Sequence, residues 1–117
     1  MINFGGDLRV SGPRLEGKNW RSGIENPDGI QPSAVIEIKQ GAITTSGTAM
    51  QHVTFNGVRY GHILNPKTGW PVERPPLSIT VAASSCIEAG LLSTLAMLQG
   101  ENARTFLEEQ GVTFWLQ

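Results

Sequence analysis

His62, Asn65, Lys67, Thr68 and Gly69 lie within one eight-residue stretch between two β-rich runs. An imidazole can take up a proton near neutral pH, an ammonium can neutralise phosphate charge, and Thr-Gly sets a hydroxyl beside accessible backbone donors. Two further glycine-marked clusters share this character: Gly5-Gly6-Asp7 and Thr45-Ser46-Gly47. Glycine lets a ligand approach the main chain, and hydroxyls supply the hydrogen bonds that an anion needs. Together these residue types suit a phosphate-bearing ligand. Taken singly, each has a plainer reading: Asn65-Pro66 opens a turn that Gly69 can close, Gly-Gly-Asp makes a bulge, and Thr-Ser-Gly bonds locally. His52 is read as a structural or surface residue, and Arg9, Arg21 and Arg59 as solvated charges. Trp20, Trp70 and Trp115 are read as core or lid residues.

The elements that must position these clusters are mostly strands. Met1 to Phe4 is a short apolar run, Leu8 to Ser11 alternates, and Trp20 to Ile24 alternates again. Asn26-Pro27-Asp28-Gly29 is a turn signal before Val35 to Lys39. Ala42 to Gly47 follows, and Val53-Thr54-Phe55 and Val58-Arg59-Tyr60 flank Asn56-Gly57, the pair that favours a type I′ hairpin. Leu77 to Ala83 is β-branched and reads as a strand. From Ser84-Ser85 to Gly100 the period becomes helical, with Ile87, Leu91, Leu92, Leu95, Met97 and Leu98 as the apolar positions. Glu101 to Gln110 predicts a short second helix with Phe106 and Leu107 inward, and Val112 to Leu116 a closing strand. The fold class expected is α+β, an antiparallel β-sheet with one long and one short helix packed on one face. No repeat or linker interrupts the chain, so residues 1–117 are expected to form a single domain.

Composition excludes several classes. A net charge of -1 gives no reason to expect nucleic acid or an acidic membrane surface. Cys86 is the one cysteine and has no internal partner for a disulfide. The stretch Ile87 to Leu98 is too short and too polar to span a bilayer. No basic, then apolar leader opens the chain as given, which would leave it cytoplasmic, with the compartment otherwise open. There is no GxGxxG opening a helix, no Walker lysine, and no Ser/His/Asp or Cys/His signature.

The order of the clusters is more specific than any one of them. Asn3 to Arg9, Trp20 to Ile24, Thr44 to Gly47 and the string His62-Ile63-Leu64-Asn65-Pro66-Lys67-Thr68-Gly69, followed by a strand and a helix, resemble the C-terminal portion of the ApbE-like FAD:protein FMN transferases. The resemblance runs from Asn3 to Leu116. It implies FAD as substrate, with Mg²⁺, transfer of the FMN half to a threonine of a target flavoprotein, and release of AMP. It also implies that Gly6, Asp7, Thr45, Ser46 and Gly47 line the nucleotide site with Lys67, Thr68 and Gly69. By the same pattern His62 is the base that deprotonates the acceptor threonine, and Thr94 a metal contact.

Two departures qualify that pattern. The family helix carries an aspartate four residues before the threonine, and here that position is Gly90. Glu88 lies about 240° around a helix of 3.6 residues per turn from Thr94 and does not replace it. Family proteins are also much longer, and their preceding part supplies another metal contact and much of the adenine and flavin pocket. An exposed strand edge then predicts a homo-oligomer or a complementing chain. The alternative to a transferase is a non-catalytic flavin or nucleotide-binding module, or an oligomeric interaction module, that has lost its metal site.

Overall fold

The computed structural model describes residues 1–26, 29–49 and 51–117. Nine strands and two α-helices follow in order: β1 (Ile2–Phe4), β2 (Asp7–Val10), β3 (Trp20–Ile24), β4 (Ala34–Ile38), β5 (Gly41–Gly47), β6 (His52–Phe55), β7 (Val58–Gly61), β8 (Ser78–Ala83), α1 (Cys86–Leu98), α2 (Ala103–Gln110) and β9 (Thr113–Leu116). Every pairing is antiparallel. The class is α+β, as the change of hydrophobic period near Ser85 implied. The turn expected at Asn26–Gly29 includes residues 27 and 28, which lie outside the described residues.

The principal sheet has five strands in the order β1-β2-β5-β8-β9, and β3-β4 and β6-β7 form separate two-stranded ribbons. Its central strands are covered on both faces. On one side Ile79 and Val81 pack against Ala89, Ala96 and Met97 of α1 and Leu107 of α2. On the other, Leu8, Val10 and Ile43 meet Ile24, Ile36 and Ile38 of the β3-β4 ribbon. The ribbon thus makes a second core layer beyond the helical one. In the β6-β7 turn Asn56 and Gly57 both adopt positive φ, +50° and +74°, as a type I′ turn requires.

The long helix differs from expectation in the face it buries. Its large side chains at Ile87, Leu91 and Leu95 are 84%, 57% and 36% exposed, whereas Ala89, Ser93, Ala96 and Met97 are buried. Small residues at the sheet-facing positions let α1 lie close over β5 and β8, whose helix-facing side chains include the hydroxyls of Thr44 and Ser46. Ser85 is the N-cap and accepts from the Glu88 N–H at 3.2 Å. The Glu88 carboxylate accepts from Ser84 N and Oγ, which anchors it at the helix start. Trp70 is 71% exposed, contrary to its reading as core or lid, while Trp20 and Trp115 pack on the ribbon core.

Candidate functional site

Six separated parts of the chain, among them Glu25 and Ser78, line one cleft of about 610 Å³, a volume in the range of small-molecule sites. The β1-β2 turn brings Gly5 and Gly6, whose φ values of +64° and +104° leave the main chain bare on that side. The end of β5 brings Thr45, Ser46 and Gly47, the segment after β7 brings His62, and α1 brings Thr94. Thus Gly6, Thr45, Ser46, Gly47, His62 and Thr94 share a wall, although up to 88 positions separate them in sequence.

Asp7, Lys67, Thr68 and Gly69 do not line this cleft. Asp7 sits in β2 opposite Phe4. The 65–70 loop satisfies its own turn: Lys67 N and Gly69 N donate to Asn65 Oδ1 and Asn65 O, and Trp70 N to Thr68 Oγ1. His62 is exposed, and its Nδ1 lies 3.0 Å from the Gln51 carbonyl oxygen. A carbonyl accepts only, so in the neutral ring this contact selects the tautomer with the proton on Nδ1 and leaves a lone pair on Nε2.

Ser93 escaped notice in the sequence, where one serine in an apolar helix carries no signal. It is fully buried, donates to Gly90 O at 3.1 Å, and lies 2.9 Å from Ser46 Oγ and 3.5 Å from Thr44 Oγ1. Ser46 Oγ in turn lies 3.1 Å from Thr94 Oγ1. With Ser93 donating to Gly90 O, Ser46 donates to Ser93 and Thr94 to Ser46, so the chain of hydroxyls ends with Thr94 lone pairs toward the cleft. Ser78 lines the same cleft, and its Oγ is buried with no hydrogen-bond partner.

The hydroxyls around Thr94 do not by themselves fit a magnesium ion. Mg²⁺ is held through carboxylates and demands octahedral oxygen geometry; Thr94 and the hydroxyls beside it are neutral and already bonded to one another, and Glu25 is the one carboxylate residue that lines the cleft among the described residues. Gly90 offers no ligand, and no cluster of three or more His, Cys, Asp or Glu suited to a metal occurs among the described residues. Space for a ligand exists nonetheless, since a Cβ built on Gly90 would meet only Thr44 Oγ1, at 3.9 Å.

A family model described as the ApbE family matches residues 1–116. The chain belongs to the ApbE family. Its sequence is 40% identical over 103 residues to the FAD:protein FMN transferase of Vibrio cholerae, covering 86% of this chain and 31% of that protein. Against the FAD:protein FMN transferase of Escherichia coli it is 31% identical over 119 residues, covering 99% and 34%. Among solved structures, the ApbE protein of Thermotoga maritima matches with a TM-score of 0.85 at 34% identity, over 96% of this chain and 37% of that one. The apo flavinyl transferase ApbE of Pseudomonas stutzeri matches at 0.81 and 31%, over 97% and 35%. This ApbE-family chain therefore spans about a third of the length of the curated relatives it matches. No helix among the described residues is long and apolar enough to cross a membrane.

Proposed function

We propose that this chain, as one domain over residues 1–117, forms one wall of the flavin-dinucleotide pocket of an FAD:protein FMN transferase, with His62 as the base. The observation that carries this reading is the convergence of Gly6, Thr45-Ser46-Gly47 and His62 on one cleft. In the proposed step the Oγ of an acceptor threonine in a target flavoprotein attacks the phosphorus of the FMN half. The bond from that phosphorus to the bridging oxygen breaks, AMP leaves with the oxygen, and the threonine proton passes to His62 Nε2. The Thr45 hydroxyl, with Thr80 Oγ1 donating to it, and the bare backbone of Gly5-Gly6 donate to the phosphates and hold them in line, while Ser46, its proton committed to Ser93, lines the pocket beside them. Asp7, Lys67, Thr68 and Gly69 are left out of the contact set because they lie off this cleft.

A second reading, a flavin-binding module without metal chemistry, is favoured by one specific feature, the glycine at position 90 beside an all-hydroxyl donor set. Titration of FAD fluorescence with and without Mg²⁺ separates the two. Binding strengthened by Mg²⁺, together with FMN transfer in the presence of the remaining transferase fold, supports the first; saturable binding indifferent to Mg²⁺ supports the second. Absence of FAD binding, with or without that complementing part, overturns both and leaves an interaction domain. Under the transferase reading His62→Ala abolishes transfer yet changes FAD affinity by no more than about twofold, because a base is needed in the transition state rather than for binding.

A further inference from the structure

Arg59 points its guanidinium at the backbone of the segment that precedes β6: Nη2 donates to Thr48 O at 2.9 Å and to Ala49 O at 2.5 Å. Two residues beyond Ala49, Gln51 offers its carbonyl to His62 Nδ1. From the same strand as Arg59, Gly61 presses on that segment a second time. A Cβ at Gly61 would come within 2.4 Å of Thr48 Cγ2, so the close approach of Thr48, itself buried, requires glycine there. Arg59 and Gly61, on one face of β7, therefore both contact the 48–49 segment, Arg59 through its guanidinium and Gly61 by close approach to Thr48. The alternating strand pattern gave Arg59 no role beyond a solvated charge, and these contacts correct that reading.

We infer that Arg59 is a positioning residue that sets the tautomer of His62 by fixing the Gln51 carbonyl. Arg59 itself touches no reacting atom. A guanidinium suits the task because its Nη2 carries two N–H donors, one for each carbonyl, and charge-assisted bonds of this kind are about twice as strong as neutral ones. Free imidazole prefers the proton on Nε2, the nitrogen that the proposed reaction needs bare. A fixed carbonyl at Nδ1 reverses that preference by roughly tenfold, the bias that one net hydrogen bond supplies. The inference rests on His62 being the base, but its test does not require flavin or turnover.

The test is ¹⁵N-histidine NMR of the full chain well above the ordinary imidazole titration range, in a His52→Gln background so that one ring is observed. The unaltered Arg59 chain is expected to show His62 with its proton on Nδ1. Arg59→Gln is expected to lose most of that signal to the Nε2–H form while backbone amide dispersion stays native, and Arg59→Lys to recover a majority of Nδ1–H. Should Arg59→Gln fail to fold, Gly61→Ala displaces the same segment by steric contact with Thr48. It is expected to give the same shift, with Thr48→Ala added to it restoring Nδ1–H. An Nε2–H ring in the starting chain overturns the inference, as does an Nδ1–H ring that persists in folded Arg59→Gln or Gly61→Ala. Loss of FAD binding with the tautomer result intact would instead count against the transferase reading alone.

Discussion

Gly90 is the position where the family resemblance leads one to expect an aspartate and this chain has no side chain. The position is interior to α1 and meets nothing closer than Thr44 Oγ1, so a carboxylate there would stand beside Thr94 on the same helical face, one turn on. Gly90→Asp is therefore expected to create an FAD affinity that rises at least about tenfold with Mg²⁺, because one charged oxygen ligand turns a neutral hydroxyl group into a hard-cation site. Titration of the variant with and without the ion decides it; unchanged affinity would put the determinant in the part of the relatives' length that this chain does not span. Gly90→Ala isolates the backbone effect. It is expected to raise stability by about 0.5–1 kcal/mol in urea unfolding, since alanine restricts the unfolded chain and fits the space without a clash. Ser93→Ala should do the opposite by about 1 kcal/mol, because it removes a fully buried hydroxyl that Gly90 O and Ser46 both use.

Individual elements differ in how far their residues announced them. The β6-β7 ribbon was legible because Asn56-Gly57 is among the few pairs that tolerate two positive φ values, and local chemistry alone decides such a turn. The start of α1 was legible for the same reason: Ser85 followed three positions later by Glu88 is a capping pattern, and Ser85→Ala is expected to cost about 1 kcal/mol in thermal unfolding. The buried face of α1 was only partly legible. Of the apolar positions Ile87, Leu91, Leu92, Leu95, Met97 and Leu98, Met97 is buried and Leu92 packs on the core, but Ile87, Leu91 and Leu95 face out because the sheet beneath presents Thr44 and Ser46, over which small residues pack closer than leucines could. The site was half legible for a related reason. Gly6, Ser46 and His62 meet through strand register, which no local signal reports, while Lys67, Thr68 and Gly69 sit off the cleft on a turn whose backbone bonds to Asn65 and Thr68.

The molecule as a whole is elongated, with a radius of gyration of 15.0 Å against the roughly 13 Å of a rounder domain of this length. Some of its exposed apolar residues are grouped. Ile87, Leu91 and Leu95 stand one turn apart on α1, and Val53, Phe55 and Val58 project from the β6-β7 ribbon. Surfaces of this kind are ordinarily covered, and Ile87→Lys with Leu91→Lys is expected to lower the sedimentation coefficient of any self-associated form to that of a monomer without shifting the unfolding midpoint by more than a degree or two. A sedimentation profile identical to that of the unaltered chain would show that this stripe holds no second copy. The central pair β5-β8 carries a different implication. Thirty residues, 48–77, leave the sheet after Gly47 and return to it at Ser78, directly opposite, in unbroken register. That excursion holds the lip of the cleft outside the ladder of the sheet, so it can open while the ladder stays closed. Amide protons of residues 52–61 should accordingly exchange with solvent through small local fluctuations, long before those of β5 and β8, which await disruption of the entire structure.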